Sequence, residues 1–318
     1  MPVMIDAHHH LWDVAAREHR WLAGGQPWAS DAELARLRRS FTLADLAPLA
    51  AAEGVGGTVV IQTVTEPWET PDLLALAAGQ DPYTAEDPAL GPEPARGRQA
   101  NASPGDPGGL LAGVVGWTDL TAPAVADAVA GLRALPGGEF LRGIRHPVLA
   151  EADPDWLARP AVLRGLRALA PTGLSFDIVT LPRQLPAAVA AARAVPELSF
   201  VLDHLGGPPV PPGPDDATGT WAAEIASLAA LPNVTGKLSG VHAIPVRVGD
   251  LRPAYETVLA AFGPDRLMFG SDWPVSTLGA TYGQACALYR ELTAQLSTAE
   301  QEAIFDRTAR RVYQLPAS

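Results

Sequence analysis

Three short segments carry residue types able to act together on a small molecule. In Ile5-Asp6-Ala7-His8-His9-His10-Leu11-Trp12-Asp13, two imidazoles stand one residue apart inside an apolar run. On an extended strand, residues two apart point the same way, so His8 and His10 project together while His9 faces elsewhere as a structural residue. Two imidazoles on one face suit a divalent metal such as zinc. Leu202-Asp203-His204-Leu205-Gly206-Gly207-Pro208 puts another imidazole at the end of an apolar run. The Gly-Gly-Pro after it makes a sharp exit where backbone must pass close to a ligand, and Asp203 is a candidate for orienting an imidazole. In Leu267-Met268-Phe269-Gly270-Ser271-Asp272-Trp273-Pro274, Asp272 follows an apolar run between backbone-fixing Gly and Pro. Such a carboxylate could bind metal, act as general base toward water, or do both in turn.

Residues so far apart in the chain need a fold that gathers them. Eight short apolar runs read as strands: 3–7, 57–61, 111–116, 141–144, 173–178, 198–202, 234–238 and 266–269. Several are almost wholly apolar, as parallel strands covered on both faces are. Between them lie Ala- and Leu-rich segments of helical spacing, such as 186–194 and 221–231. Eight strand–helix alternations in 318 residues predict an α/β fold, a (β/α)8 TIM barrel spanning residues 1–318 as one domain. An open dinucleotide-binding sheet is disfavoured because its Gly-rich phosphate fingerprint is missing. Most of the runs lead straight into a chemically capable residue: Asp6 and His8, Gln62, Trp117, Arg145 and His146, Asp177, Asp203 and His204, Lys237, and Asp272. The C-terminal strand ends of such a barrel converge on one mouth. The Pro- and Gly-rich stretch 79–109 reads as a flexible excursion on the opposite face, and 206–220 as a Pro-stiffened loop at the mouth.

Composition narrows the partners. With 23 Lys and Arg against 35 Asp and Glu, the net charge is −12, which argues against nucleic acid and for a small-molecule substrate. The single cysteine, Cys286, excludes an internal disulfide and reads as a buried inert thiol. No signal peptide or membrane-spanning run is legible, so no membrane partner is expected and the cytoplasm is the default location.

The ordered set of segments resembles the amidohydrolase superfamily. Within it, the likeness is to the amidohydrolase-2 group that includes sugar-lactone hydrolases acting on L-fuconolactone and L-rhamnonolactone, and dicarboxylate lactonases. It runs from Ile5 to Pro274 and includes Val114-Val115-Gly116-Trp117-Thr118-Asp119-Leu120, Leu141-Arg142-Gly143-Ile144-Arg145-His146, Leu174-Ser175-Phe176-Asp177 and Lys237-Leu238-Ser239-Gly240. The resemblance implies a hydrolase of carbohydrate catabolism that opens a sugar-acid or dicarboxylate lactone, with Asp272 and His204 catalytic. Gln62, Arg145, His146, Asp177 and Lys237 are substrate-binding candidates, with Arg suited to carboxylate recognition, and Trp12 and Trp273 would wall the pocket. His8, His10 and Asp272, with His204 as a further ligand, would hold one zinc, while lactone hydrolysis without metal stays open. Relatives with two metals carry a lysine after strand four and a histidine after strand five. Here Arg145-His146 and Asp177 stand instead, which argues against a binuclear centre. The alternatives are a metal-dependent decarboxylase of the same group and a barrel that only binds a ligand. A homodimer would be in keeping with barrels of this type.

Overall fold

A computed structural model describes residues 4–26, 28–82, 109–210, 215–240 and 248–316. Eight strands form one sheet in sequence order, every neighbouring pair parallel: β1 (Met4–His9), β2 (Val55–Ile61), β3 (Leu111–Gly116), β4 (Leu141–His146), β5 (Ser175–Ile178), β6 (Ser199–Leu202), β7 (Val234–Leu238) and β8 (Leu267–Phe269). Each strand is followed by a helix: α1 (Leu43–Ala52), α2 (Glu69–Ala77), α3 (Val125–Arg133), α4 (Pro160–Leu169), α5 (Leu185–Ala194), α6 (Asp215–Ala229), α7 (Val248–Phe262) and α8 (Tyr282–Leu292). This is the expected (β/α)8 barrel. Most of the expected excursion at 79–109, and residues 211–214 of the expected mouth loop, lie outside the described residues. Cys286 is buried on α8. Among the described residues, no helix is long and apolar enough to cross a membrane.

Alternation along the strands sorts the core into two layers. Ile5, Ala7, Val59, Ile61, Val115, Val201 and Met268 fill the barrel interior. Their neighbours Met4, Val60, Val114, Phe200 and Phe269 face the helices in a second, larger cluster. Ala309, Val312, Tyr313 and Leu315, on and just beyond the C-terminal helical turn Thr308–Val312, join the interior cluster. They close the end of the barrel where the strands begin, since Leu315 lies against Gly113 near the start of β3.

The circle is completed next to the chemistry. Asp272 N donates to the His8 carbonyl and His10 N donates to the Trp273 carbonyl, both at 2.7 Å. The residues after β8 therefore act as the last strand partner of β1, and the two segments that carry His8, His10 and Asp272 are bonded backbone to backbone.

Candidate active site

A register slip aims the histidines. Strict alternation from Ile5 and Ala7 would send His8 outward with Met4 and Asp6. Between Asp6 and His9, however, the pairing of β1 with β2 slips by one residue, and such an irregularity re-aims the side chains after it. His8 and His10 consequently face the interior, while His9 turns out and meets Thr58 Oγ1 at 3.0 Å. Asp6 fixes the slip, its carboxylate accepting from His8 N, Ser271 N and the Tyr282 hydroxyl. Gly270 makes room, because a Cβ there would lie 2.5 Å from that of His8. Two polar residues adopt left-handed backbone to reach the site, Asp272 (φ 55°) and His204 (φ 54°). For residues with a Cβ that conformation costs about 1–2 kcal/mol each, and it persists where the surroundings impose it.

Three ligand-type atoms meet. His8 Nε2 lies 3.2 Å from His10 Nε2 and 3.6 Å from Asp272 Oδ1, and His10 Nε2 is 3.4 Å from the same oxygen. Ligands about 2.0–2.1 Å from a tetrahedral zinc stand roughly 3.4 Å from one another, so the triangle has the size such an ion needs. Its protonation state fits too. His10 Nδ1 donates to the Ile61 carbonyl at 2.8 Å, which leaves the Nε2 lone pair facing the cluster. Burial holds His10 down to about 3 and His8 well below the usual imidazole range, so both rings are neutral. The donor set fits one divalent ion. His204 is the fourth member, its Nε2 4.0 Å from Asp272 Oδ1 and its side chain, 19% exposed, the most open of the four. Its Nδ1 meets Ser239 Oγ at 2.8 Å, and its ring crowds Gly240, where a Cβ would fall 2.2 Å from Nδ1. Burial lowers His204 as well.

Beneath this layer sits a charged network out of contact with solvent. Lys237 Nζ lies 2.9 Å from Asp177 Oδ2, 2.9 Å from Asp203 Oδ1 and 3.2 Å from His8 Nδ1. Asp203 Oδ1 also reaches His8 Nδ1 at 3.3 Å. Burial by itself would raise the Asp203 carboxyl, yet the Lys237 ammonium holds it well below the usual range. Asp177 moves the other way. Burial and the neighbouring Asp203 charge raise it despite Lys237, and the Tyr313 hydroxyl donates to it at 2.5 Å.

The expected residues thus divide. His8, His10, His204 and Asp272 come together, with Asp203 behind His8. Asp177 and Lys237, expected to touch substrate, are instead fully buried and spent on each other, on Asp203 and on His8. His146 is engaged on three sides. It accepts from Trp117 Nε1 at 3.2 Å, reaches Glu151 at 2.8 Å through Nε2, and stacks on Trp156 at 4.0 Å. Trp12 and Trp273 are buried and pack edge-on against Phe41, and Trp12 Nε1 donates to the Arg39 carbonyl. Arg145 and Gln62 border the ligand cluster. The Arg145 guanidinium bonds Gln62 and Asp203 and lies 3.5 Å from His8 Nε2. Sequence reading missed Tyr313, Ser239 and Glu69. Glu69, at the start of α2, accepts from Thr63 and Val64 and fixes the loop after Gln62. Ser239 stood at a legible strand end; Tyr313 carried no sequence signal.

An eight-stranded parallel barrel with His8 on β1, His10 just after it and an aspartate after β8, their ligand-type atoms placed so that they could hold a divalent ion, has the fold and donor set of a barrel hydrolase. Comparison with known proteins agrees. The amidohydrolase family profile matches residues 106–315. An L-fucono-1,5-lactonase of Burkholderia multivorans is 34% identical over 98% of this chain and 96% of its own. Another, of Burkholderia ambifaria, is 35% identical over 89% of this chain and 84% of its own. A Burkholderia multivorans amidohydrolase solved with bound zinc superposes with a TM-score of 0.79 at 34% identity, covering 99% of this chain and 100% of that one. The chain belongs to the amidohydrolase family.

Proposed function

We propose that the protein hydrolyses the ring ester of an uncharged sugar-acid lactone by attack of water on the carbonyl. One observation carries the reading: Asp272 Oδ1 sits within 3.4–4.0 Å of three imidazole nitrogens, at the mouth of the barrel and almost closed to solvent. A carboxylate so placed takes the proton from an attacking water, and neutral imidazoles around it accept and orient that water without competing for charge. His204, the most open of the rings, faces the incoming substrate. The proton held by Asp272 then passes to the ring oxygen as the ester bond breaks. His8, His10 and Asp272 would hold a divalent ion, which when bound polarises a carbonyl and acidifies water. The lactonase relatives support the ester as the bond attacked.

Support for an uncharged substrate comes from how three candidate carboxylate-binding groups among the described residues are engaged. Lys237 is buried between two carboxylates, His146 is engaged by Glu151, and Arg145 is held by Gln62 and Asp203. None of the three offers the open fork that recognises a carboxylate, which favours a sugar lactone over a dicarboxylate lactone. The decarboxylase alternative finds no histidine on β5, where Asp177 points into the buried network.

The test is acid release near pH 7.5 from L-fucono-1,5-lactone, from other sugar lactones and from 2-pyrone-4,6-dicarboxylate, before and after chelation and with zinc restored. Turnover of a sugar lactone well above the uncatalysed rate is expected. Carbon dioxide from an aromatic acid with no lactone opened would overturn the assignment. Loss on chelation and recovery with zinc would assign the ion to the reaction.

A further inference from the structure

Arg145 was expected to clamp a substrate carboxylate, but a count of its hydrogens points elsewhere. A guanidinium has five N–H donors and no acceptor. The two on Nη2 serve the Gln62 carbonyl and Gln62 Oε1, the latter at 3.0 Å, and Nε reaches Oε1 at 3.3 Å. One of the two on Nη1 serves Asp203 Oδ2 at 3.4 Å. The fifth has only His8 Nε2, at 3.5 Å, as a partner among the described residues, and both Nη1 contacts are longer than an ordinary hydrogen bond. Gln62 and Asp203 therefore grip the group from two sides and leave one charged donor turned toward the cluster. The flip of Gln62 is itself settled, since only its oxygen can meet an arginine. Gln62 is also joined by a peptide bond to Ile61, whose carbonyl orients His10, so the same strand end sets both groups.

We propose that Arg145 is a catalytic residue whose Nη1–H stabilises the oxyanion of the tetrahedral intermediate, with Gln62 as its positioning residue. The inference rests on the lactone reading. Asp272 Oδ1 and Arg145 Nη1 lie 3.6 and 3.5 Å from the same nitrogen, so they are at most about 7 Å apart, the span of a bound water, a carbonyl and a hydrogen bond. As the water oxygen bonds to the carbonyl carbon, its proton moves to Asp272. The carbonyl π pair moves to the oxygen, where Nη1–H donates. The pair then returns, the bond to the ring oxygen breaks, and the proton from Asp272 reaches the leaving alkoxide. Lactone and water give one hydroxy acid. A donor used mainly in the transition state changes kcat far more than KM.

Steady-state kinetics on a sugar 1,5-lactone test this. Arg145→Ala is expected to lower kcat by about 100- to 1000-fold, with KM within roughly threefold of wild type. Guanidinium chloride at tens of millimolar should restore kcat at least about tenfold in that variant, while the same concentration of sodium chloride does nothing. Gln62→Leu decides the matter separately, whether or not the alanine variant folds. It should lose about tenfold in kcat at unchanged KM. A KM raised tenfold with kcat preserved in either variant overturns the proposal in favour of a ground-state clamp. A folded Arg145→Ala protein that guanidinium fails to rescue overturns it as well. If the wild type opens no lactone, the parent reading falls and takes this one with it, a result distinct from variants that fail while the wild type turns over.

Discussion

Replacing Lys237 by methionine tests whether the buried network supports the site or binds substrate. The substitution keeps the length of the stem and removes the ammonium that lies 2.9 Å from each of two carboxylates. At an effective dielectric of about 20, each contact is worth roughly 6 kcal/mol of Coulomb attraction, most of it offset by the cost of burying the charges. Breaking such a buried arrangement costs about 3–5 kcal/mol. Asp177, already raised by burial and by Asp203, is the carboxyl that takes up a proton when the ammonium is gone. The deficit of Lys237→Met should accordingly shrink toward pH 5. With Asp177→Asn as the second arm of a double-mutant cycle, the coupling should be about 2–3 kcal/mol. Urea unfolding of the four proteins at pH 7.5 and pH 5.5 measures it. In the fraction that stays folded, KM for the lactone should hold within about twofold, since Lys237 touches no substrate. Additive effects within about 0.5 kcal/mol, or unchanged stability with a large rise in KM, would refute the reasoning.

Three further outcomes are expected. Asp272→Asn should lower kcat by about 1000-fold or more while the thermal midpoint stays near wild type; retained turnover would remove Asp272 from the role of base. Gly270→Ala places a Cβ 2.5 Å from that of His8 and should cost about 1–3 kcal/mol together with most activity; a silent substitution would show that His8 is not held as described. The third concerns acid. Burial lowers His9 and His10 to about 3 and His19 to about 4, so their contribution is complete above pH 6.5 and is lost as the pH falls. Glu69 and Asp6, raised by burial to about 7 and about 6, have the opposite sign and give stability back on acidification. From pH 7.5 to 5 the histidines lose about 6 kcal/mol and the two acids return about 4. His8 and His204, also lowered by burial, add to the loss, so a clear net loss should appear in urea midpoints, and a flat or rising profile would contradict these shifts.

Much of this molecule is legible in its sequence. Apolar runs separated by helical spacing fix the number of strands, because parallel strands covered on both faces and helices with one apolar stripe leave different periodicities. A chemically capable residue at the end of most runs marks the mouth, since strand ends of a barrel converge there. His8, His10, His204 and Asp272 were found in that way. The tertiary structure alone decided how they are aimed and which neighbours work with them. The register slip after Asp6 turns His8 inward, against the alternation that the residues before it would give. Lys237, Asp177 and Arg145 looked alike in sequence, as charged residues at strand ends. Partner choice separates them: Lys237 and Asp177 are bonded to each other in the buried network, while Arg145, opposite Asp177 in the sheet, is held by Gln62 and Asp203 with one hydrogen turned toward His8. Tyr313 reaches Asp177 from the far end of the chain. Sequence records what type of group a position carries, but burial and partner choice depend on distances between segments far apart in the chain, and those distances exist only once the barrel has closed.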